Sequence, residues 1–217
     1  IAHEVRNPLG AISHAGQLLS ESELLTMEDK RLTRIITEHS RRVNRIIENV
    51  LSLSRREAAI PETIELRGWL DRFIEEFTAR NQLSHAAVQV VMQTDNLMAL
   101  FDPGQLHQIM WNLCENALRY SKRNPLLEFH CGIRSETGRS YIDVIDHGRG
   151  IPGEMVEQLF EPFFTTEAKG SGLGLYIARE LCEANRASLN LHANRPGGCT
   201  FRINFAYADD GQGHAIS

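Results

Sequence analysis

The chain has 217 residues, a formal net charge of −5, 42% hydrophobic residues and 24% charged residues. This length suits one large domain or two small ones, and the composition is that of an ordinary globular protein. The negative charge and the lack of a sustained basic patch argue against nucleic acid as a partner. The four cysteines show no C-x-x-C spacing, which argues against a zinc site or a disulfide framework.

Residues 1–19 predict an amphipathic helix with two distinct faces. His3, Asn7, Gly10 and His14 fall on one stripe, at positions i, i+4, i+7 and i+11. Pro8 lies inside this helix, and because it has no N–H we expect a kink in the turn after His3. The apolar face consists of Ile1, Val5, Leu9, Ile12, Gly16 and Leu19.

The first helix alone leaves two interpretations of His3 open, a functional histidine and an ordinary exposed one. Proline and glycine are poor helix formers, and two of them beside one histidine are typical of a functional site. The letters HEVRN also begin like the zinc-protease motif H-E-x-x-H. Asn7 stands where the second histidine ligand is needed, so we exclude zinc.

A second helix follows a polar turn, and its apolar residues form a heptad seam. Two such helices make a hairpin whose apolar stripe is too wide for one neighbour, so we expect a homodimer with a four-helix bundle. His39 lies on the seam, where we expect a polar layer of the bundle and not a catalytic group. The seam consists of Leu32, Ile36, His39, Val43, Ile46, Val50 and Leu53.

Beyond a candidate linker at residues 56–63, the pattern changes to mixed helices and strands. We expect a mixed sheet covered by helices on one face. Asp102 followed by Pro103 predicts the start of a helix that ends near residue 121. Further helices are expected around residues 69–77 and 172–185, and strands at 88–92, 97–101, 126–133, 140–146, 188–193 and 199–206.

The predicted helix from Asp102 carries a polar stripe that differs from its core stripe. Asn112, Asn116 and Arg119 lie at i, i+4 and i+7 and face away from the core together. Amide oxygens suit a hard cation, and a guanidinium suits phosphate oxygens. The stripe could therefore hold a phosphate chain and its metal, whereas the alternative is a solvated helix face.

The strand at residues 140–146 ends in an aspartate on its buried side. Asp146 alternates with Ile142 and Val144, so an ionised Asp146 needs a partner such as the amino group of adenine. Gly148 and Gly150 would let the backbone approach a flat ring. The competing interpretation is an ordinary turn aspartate.

A glycine-rich loop at residues 170–174 opens the helix that follows it. Such a loop presents free N–H groups and the positive end of the helix dipole to phosphate. No Lys-Ser/Thr pair follows, so it is not a Walker A loop, and no strand precedes it, as a Rossmann motif requires. The segment before it predicts a lid over the nucleotide, with Phe160, Phe163 and Phe164 as apolar anchors.

Six stretches, taken in order, resemble the catalytic region of two-component sensor histidine kinases. They are HEVRNP, NLCENALRYS, DHGRGIP, LFEPFFTT, GSGLGLYIA and GGCTFRI, which correspond to the H, N, G1, F and G2 boxes and a closing strand. Any one box is a weak signal, but five in the family's order over almost the whole chain are a strong one. The amino-acid sequences around the first and fifth stretches are most similar to those of pilus-regulating sensor kinases.

The resemblance implies a fold of two domains with a defined boundary. Residues 1–60 would form a dimerising phosphoacceptor hairpin, and 61–207 an ATP-binding α/β sandwich of the GHKL (Bergerat) type. Residues 208–217 would be a disordered tail. Because the chain begins at Ile1 inside a helix, we expect the cytoplasmic portion of a longer bacterial protein. Any membrane anchor would then lie in a missing N-terminal sensor segment.

The resemblance also assigns roles to residues of the first helix. His3 would accept the γ-phosphoryl group of ATP and pass it to an aspartate of a response regulator. Glu4 would be the base, and Asn7 would orient a water that dephosphorylates the regulator. The regulator would dock on Gly10, His14 and Ala15.

In the second domain the resemblance assigns an ATP site with Mg²⁺. Asn116 would hold the metal, and Asp146 would recognise adenine with Thr200 nearby. His147 stands where the family usually has a small polar residue, which affects the contacts near the purine. The remaining ATP-binding residues would be Asn112, Arg119, Tyr120, Gly148, Gly150, Gly170, Gly172, Leu173 and Gly174.

Two other functions use the same folds. One is a dimeric scaffold gated by ATP without phosphotransfer. The other is a GHKL ATPase that hydrolyses ATP to open and close a clamp, for which Glu115, one residue before Asn116, could be the hydrolytic glutamate.

Overall fold

A computed structural model describes residues 2–22, 25–54, 59–121, 126–166 and 170–206. The described residues fall into two compact units. The first comprises residues up to 57 together with 161–173, and the second comprises residues 58–160 and those from 174 onwards. Within the described residues, no helix is both long enough and apolar enough to cross a membrane.

The first unit contains a hairpin of two long helices. Helix α1 (Ala2–Ser20) continues through Pro8, and helix α2 (Met27–Ser54) begins at a reciprocal cap. The Thr26 hydroxyl accepts from the Asp29 N–H at 3.2 Å, and the Asp29 carboxylate accepts from the Thr26 N–H at 3.1 Å. This pairing satisfies N–H groups that a helix start leaves unpaired. It also lowers the pKa of Asp29, first through the hydrogen bond from the Thr26 side chain.

Small and polar side chains fill the contact between α1 and α2. Gly16, Thr33 and Ser40 are buried, and a Cβ on Gly16 would lie only 2.6 Å from the Thr37 hydroxyl oxygen. The described side chains of the apolar seam predicted on α2 face outwards: Leu32, Ile36 and Val43 are 54%, 46% and 40% exposed. His39 is exposed on the same seam. This described part of the seam is thus uncovered within one chain.

The second unit is built on a five-stranded mixed sheet with the order β2-β4-β5-β7-β6. Strands β2 and β4 are parallel and the other neighbours are antiparallel. A separate two-stranded sheet pairs β1 with β3. The strands are β1 (Glu62–Glu65), β2 (Val88–Met92), β3 (Met98–Phe101), β4 (Leu127–Ile133), β5 (Ser140–Asp146), β6 (Ser188–Arg195) and β7 (Gly198–Asn204).

Helices α3 (Leu66–Asn81), α4 (Pro103–Tyr120) and α5 (Gly174–Ala184) cover one face of this sheet. The Glu65 carboxylate caps α3, and the Asp102 carboxylate caps α4 by accepting from two backbone N–H groups at 2.9 and 3.0 Å. Both helices therefore begin where side-chain acceptors satisfy the first N–H groups. The fully buried core includes Leu70, Phe77, Leu106, Ile109, Met110, Leu113, Phe129, Ile142, Ile177 and Ile203.

The opposite face of the sheet is polar. Asp143 on β5 accepts two hydrogen bonds from Arg202 on β7, both at 2.6 Å, and the Arg202 guanidinium stacks 4.0 Å from the centre of the Tyr141 ring. The carboxylate raises the pKa of Arg202. Only 7% of the Asp143 side chain and 16% of the Arg202 side chain are exposed. The pair ties the two central strands together.

These elements confirm the expected fold of a helical hairpin and a mixed sheet covered on one face. Several bounds differ by a few residues, and α5 begins at Gly174 and not at residue 172. The candidate linker is shorter than predicted, because Glu62 and Thr63 pair with β3. The two short 3-10 helices, His85–Ala87 and Gly153–Met155, were not predicted. The expected tail at 208–217 lies outside the described residues.

Candidate functional site

The polar stripe of α4 lies beside the start of α5. Asn112 and Asn116 are half-buried and Arg119 is exposed, so all three face away from the core as predicted. The Asn112 amide donates to the Gly174 carbonyl oxygen at 3.4 Å, and Gly174 is the first residue of α5. The structure thus places Asn112 next to a helix N-terminus, where anions are stabilised.

Asp146 is buried at the end of β5, with 7% of the residue exposed. Its Oδ1 accepts from the Gly148 N–H at 2.9 Å. Burial raises the pKa of Asp146, while hydrogen bonds from the backbone of Gly148 and Cys199 and the nearby His147 oppose that rise. A buried acceptor of this kind favours a ligand that donates a hydrogen bond to it.

The glycines after Asp146 are required by contacts within the protein. A Cβ on Gly148 would lie 2.8 Å from the Tyr120 carbonyl oxygen, and one on Gly150 would lie 2.6 Å from the Arg195 carbonyl oxygen. Gly150 also has a φ of +78°, which L side chains rarely adopt. The loop from Asp146 to Ile151 is therefore packed between the end of α4 and strand β6.

Strand β7 brings Thr200 to this end of the sheet. Thr200 pairs with Ile145, the residue before Asp146, and is half-buried. A Cβ on the preceding Gly198 would overlap the Asp146 carbonyl oxygen. Thr200 consequently lies close to Asp146, as the resemblance implied, and the turn before it admits only glycine at position 198.

The glycine-rich loop and the F box meet within the first unit. Gly172 has a φ of +69° and its Cα packs against the backbone of Phe163, which itself has a φ of +67°. Phe163 was predicted to be an apolar anchor, and this is wrong because the residue is 66% exposed. Its main chain makes the contact with Gly172, whereas Phe160 does pack, edge-on against Phe201 at 6.4 Å.

Residues 170 and 173, which flank Gly172, also lie in described backbone. Gly170 and Leu173 are both buried, and the Leu173 N–H donates to the Ser171 hydroxyl at 3.4 Å. Their assignment to phosphate stays a prediction.

On the hairpin, α1 carries all the residues assigned to phosphotransfer and docking. His3, Glu4 and Asn7 lie on this helix, and their side chains are outside the described part of the structure. Gly10, His14 and Ala15 are exposed, and nothing lies within 4 Å of a Cβ built on Gly10. This part of the predicted stripe is open to a partner.

Glu115 is held on the other side of α4. Its carboxylate accepts from the Trp111 indole N–H at 3.0 Å, and the Trp111 ring packs against Phe77 of α3 at 5.0 Å between centroids. This contact directs the Glu115 carboxylate to Trp111 and α3, which disfavours a hydrolytic role.

Reactive thiols and a metal held by several His, Cys, Asp or Glu side chains find no support among the described residues. Burial raises the pKa of Cys131, Cys182 and Cys199 to about 12, so these thiols are not nucleophiles near neutral pH. The described residues contain no group of three His, Cys, Asp or Glu side chains that could hold a metal ion.

Sequence reasoning missed the residues that hold the Asp146 loop. Ser121 accepts from the His147 N–H at 2.9 Å, and Asn194 pairs with the backbone of Ile151. The His147 ring lies 3.3 Å from the Glu128 carboxylate, which also contacts His130 at 2.5 Å. No local pattern marks the side chains that contact the loop, because Glu128, Ser121 and Asn194 are 19, 26 and 43 positions away from their partners in it.

Two family models match this chain in the order that the boxes predict. Residues 101–209 match the histidine kinase-, DNA gyrase B- and HSP90-like ATPase family, and residues 1–59 match the His kinase A phosphoacceptor domain. The chain belongs to the sensor histidine kinases. The candidate site residues on α4, β5 and α5 all lie within the part of the chain that matches the ATPase family.

Curated relatives agree with this membership. The chain is 46% identical over 210 residues to the sensor protein kinase PilS of Pseudomonas aeruginosa, covering 95% of this chain and 39% of that protein. The predicted resemblance to pilus-regulating kinases is thereby confirmed. It is 29% identical to the sensory histidine kinase/phosphatase NtrB of Rhodobacter capsulatus, covering 96% of this chain and 61% of the relative. The chain therefore spans only about two fifths of the length of PilS.

Solved structures share the fold. Full-length ShkA in complex with AMPPNP superposes with a TM-score of 0.68 at 22% identity, covering 94% of this chain and 44% of that one. The Acinetobacter baumannii histidine kinase AdeS gives a TM-score of 0.62 at 19% identity, covering 95% and 98%.

Proposed function

We propose that this chain is the catalytic core of a sensor kinase that transfers the γ-phosphoryl group of ATP to His3. The observation that carries the proposal is the presence, in one chain, of a phosphoacceptor helix and an ATPase site whose polar stripe, buried aspartate and helix N-terminus lie together. We further propose that the phosphoryl group passes to an aspartate of a response regulator, and that the protein is a homodimer.

In the nucleotide site, each described residue has a physical task. The buried Asp146 carboxylate accepts from the adenine amino group, which compensates for the cost of burying it. Asn112 and Arg119 donate to phosphate oxygens, and the N–H groups at the start of α5 add the helix dipole. Phosphoryl transfer needs this positioning and charge neutralisation more than covalent help from the protein.

Magnesium fits this site through a single protein ligand. The Asn116 amide is half-buried and makes no side-chain hydrogen bond to any other described residue, so its oxygen is available to a hard cation. Mg²⁺ keeps several waters and takes phosphate oxygens in such sites, so one amide ligand suffices. When bound, the metal supplies charge neutralisation between the phosphate groups.

At His3, a neutral imidazole nitrogen forms the new bond to phosphorus while the bond to the β,γ-bridging oxygen breaks and ADP leaves. Glu4 accepts the proton from His3 Nδ1, so that Nε2 becomes the better nucleophile. Adjacent residues on a helix point about 100° apart. The His3 ring must therefore rotate towards Glu4.

The test is incubation with ATP labelled at the γ-phosphate, followed by acid and base treatment of the protein. The wild-type chain should hold label that acid removes and base does not. His3→Gln should lose this label and still bind ATP. Label that persists in His3→Gln would mean that another residue is the phosphoacceptor. Release of all label as free phosphate would instead favour the clamp ATPase. ATP binding without labelling or hydrolysis would favour the dimeric scaffold.

The hairpin also supports a second activity, dephosphorylation of the regulator. Asn7 follows His3 by one helical turn, and its amide can orient a water but cannot act as a nucleophile. Asn7→Ala should leave labelling of His3 within about threefold of wild type and slow the loss of phosphate from the regulator by about tenfold or more. Equal rates of loss in both proteins would exclude this role.

A further inference from the structure

The loop from Asp146 to Ile151 is fixed by a side chain that no motif contains. Asn194, at the end of β6, pairs with both polar groups of one residue of this loop. Its Nδ2 donates to the Ile151 carbonyl oxygen at 2.7 Å, and its Oδ1 accepts from the Ile151 N–H at 2.9 Å. A side-chain amide that matches a residue's N–H and C=O in this way acts like a neighbouring strand.

The same amide connects the loop to strand β7. Asn194 Oδ1 also accepts from the Cys199 thiol at 3.5 Å, and the Cys199 backbone N–H donates to Asp146. Gly150 packs against this corner, with its Cα facing the Arg195 carbonyl oxygen and a φ of +78°. One residue on β6 thus contacts both the far end of the loop and the residue that donates to Asp146.

The loop needs such a restraint because two of its residues are glycines. Glycine adopts left-handed and right-handed backbone conformations with similar ease, so Gly148 and Gly150 alone leave many loop shapes accessible. The start of the loop is fixed by the Ser121 hydroxyl, which accepts from the His147 N–H. Asn194 fixes the other end at Ile151, so Gly148 between the two anchors keeps its N–H directed at the Asp146 carboxylate.

We propose that Asn194 is a positioning residue which selects for a 6-amino purine nucleotide by fixing the loop that carries Asp146. This inference rests on the proposed ATP site and adds to it a residue outside the nucleotide contacts. A site whose competent shape is only partly populated binds its ligand more weakly by that fraction. The loss should fall mainly on ligands that use the Asp146 carboxylate.

The substitution Asn194→Asp tests this with almost no change in size. It keeps the acceptor for the Ile151 N–H and places a carboxylate oxygen against the Ile151 carbonyl oxygen, where the donor was. The affinity of the 217-residue chain for ATP should fall about fivefold, and that for inosine triphosphate, which has no 6-amino group, by less than about twofold. The labelling rate of His3 at saturating ATP should stay within about twofold, because the phosphate contacts are unchanged.

Asn190→Asp is the matched control. Asn190 lies four positions earlier on the same strand, is exposed, and donates to the Ser188 hydroxyl at 3.2 Å, away from the loop. It introduces the same charge on β6 and should leave both affinities within about twofold. Hydrogen exchange adds a second readout: the segment 147–151 should exchange faster in Asn194→Asp than in Asn190→Asp.

The outcomes separate this inference from the proposed function. An unchanged ratio of ATP to inosine triphosphate affinity in a folded Asn194→Asp variant would overturn the role of Asn194 alone. Failure of the wild-type chain to bind ATP would overturn the nucleotide site and the inference together. Should Asn194→Asp melt more than a few degrees below wild type, Asn194→Ser keeps an acceptor hydroxyl without the added charge, and the same ratio decides.

Discussion

The hairpin and the ATPase domain handle their apolar residues in opposite ways. In the ATPase domain, residues from three helices and one sheet face form a closed core of fully buried Leu, Ile and Phe side chains. In the hairpin, the contact between the helices is made by Gly16, Thr33 and Ser40, while Ile36 and its neighbours face outwards. The ATPase domain therefore has a complete core of its own, and the hairpin needs a further apolar surface, which a second copy would supply.

The two regions also present their chemistry differently. The ATPase site lies on loops and helix ends that are held by specific contacts, such as Asn112 with Gly174 and Asn194 with Ile151. The described part of the α1 stripe is an open helix face, with nothing near Gly10. A small ligand needs fixed donors and acceptors, whereas a protein partner needs an accessible surface.

The largest effect should come from breaking the ion pair that ties two strands of the ATPase domain. Arg202→Leu leaves the Asp143 carboxylate, only 7% exposed, without its two hydrogen bonds. The free energy of unfolding of this domain should fall by about 3 kcal/mol. The hairpin should be unaffected if the two regions are independently stable, and hydrogen exchange resolved by segment measures both.

Arg179→Leu is the control for that substitution. Arg179 pairs with Glu183 across one turn of α5 at 3.8 Å, and 40% and 62% of these two side chains are exposed. Its loss should cost less than about 1 kcal/mol. Equal destabilisation by the two substitutions would contradict a special contribution of the buried Asp143–Arg202 ion pair to the stability of the domain.

A second prediction concerns a substitution that weakens the proposed contact between two hairpins and leaves the ATPase site unchanged. Ile36→Glu puts a charge on the exposed apolar seam, where Ile36 is 46% exposed in the single chain. In a symmetric dimer the loss counts twice, so the dimer should weaken by about 2 kcal/mol, or roughly thirtyfold in Kd. Sedimentation at several concentrations measures this, and affinity for ATP should stay within about twofold.

Arg34→Glu, an exposed position of the same helix off the seam, serves as the comparison. It should leave the dimer within about threefold of wild type. Dimers of equal strength in both variants would show that the seam is not the contact between copies.

The periodicity of the sequence predicted most of the fold for a local reason. Strand alternation and helix periodicity depend on neighbouring residues, so β2 and β5 were predicted to the residue. The caps at Asp102 and the glycine-rich start of α5 are local patterns as well. The two-stranded sheet was missed because β1 and β3 are short and pair across more than thirty positions.

The sequence indicated the candidate polar residues of the site. It did not indicate the residues that hold the Asp146 loop in place. Asn112 and Asn116 stand out because they form a polar stripe beside the core stripe of one helix, and Asp146 because it continues the buried face of a strand. Asn194 and Ser121 look like ordinary surface residues until the fold brings them to the Asp146 loop. Phe163 was mispredicted as an anchor, since its left-handed backbone and exposure depend on Gly172, nine positions away.

A third prediction uses the buried aspartate, which has no described counterpart in the hairpin. Burial raises the pKa of Asp146 above the ordinary value of 3.8. The neutral carboxyl therefore favours the folded, nucleotide-free domain at low pH, and this contribution is lost as the pH rises through the raised pKa. Adenine binding has the opposite dependence, because an ionised carboxylate is a stronger acceptor for the adenine amino group than a neutral carboxyl group.

ATP affinity should accordingly fall, by up to about tenfold, as the pH drops through the Asp146 pKa, with a midpoint above 3.8. Asp146→Asn is the control, since it keeps the titration of the nucleotide itself and removes that of the carboxyl. Subtracting its profile isolates Asp146. Parallel profiles for wild type and Asp146→Asn would show that this carboxyl does not titrate in the binding reaction.

The smallest effect separates stability from recognition on the hairpin. Gly10 is exposed in the middle of α1, has open space around its Cα, and costs the helix about 1 kcal/mol relative to alanine. Gly10→Ala should therefore stabilise the hairpin by about that amount in thermal unfolding. Labelling of His3 from ATP should stay within about twofold, because the substituted side chain lies two turns further along the helix.

Transfer to the response regulator should respond differently if the regulator docks over this stripe. The added methyl group occupies space that close approach of a partner helix requires, so transfer should slow about threefold in Gly10→Ala and more in Gly10→Val. Ser20→Ala, at an exposed position of α1 about a quarter turn away from this stripe, provides the comparison and should transfer at the wild-type rate. A hairpin that gains stability and still transfers normally would place the docking surface elsewhere on the bundle. Slower transfer to the regulator with unchanged labelling of His3 would instead indicate that the regulator docks on the exposed face of α1.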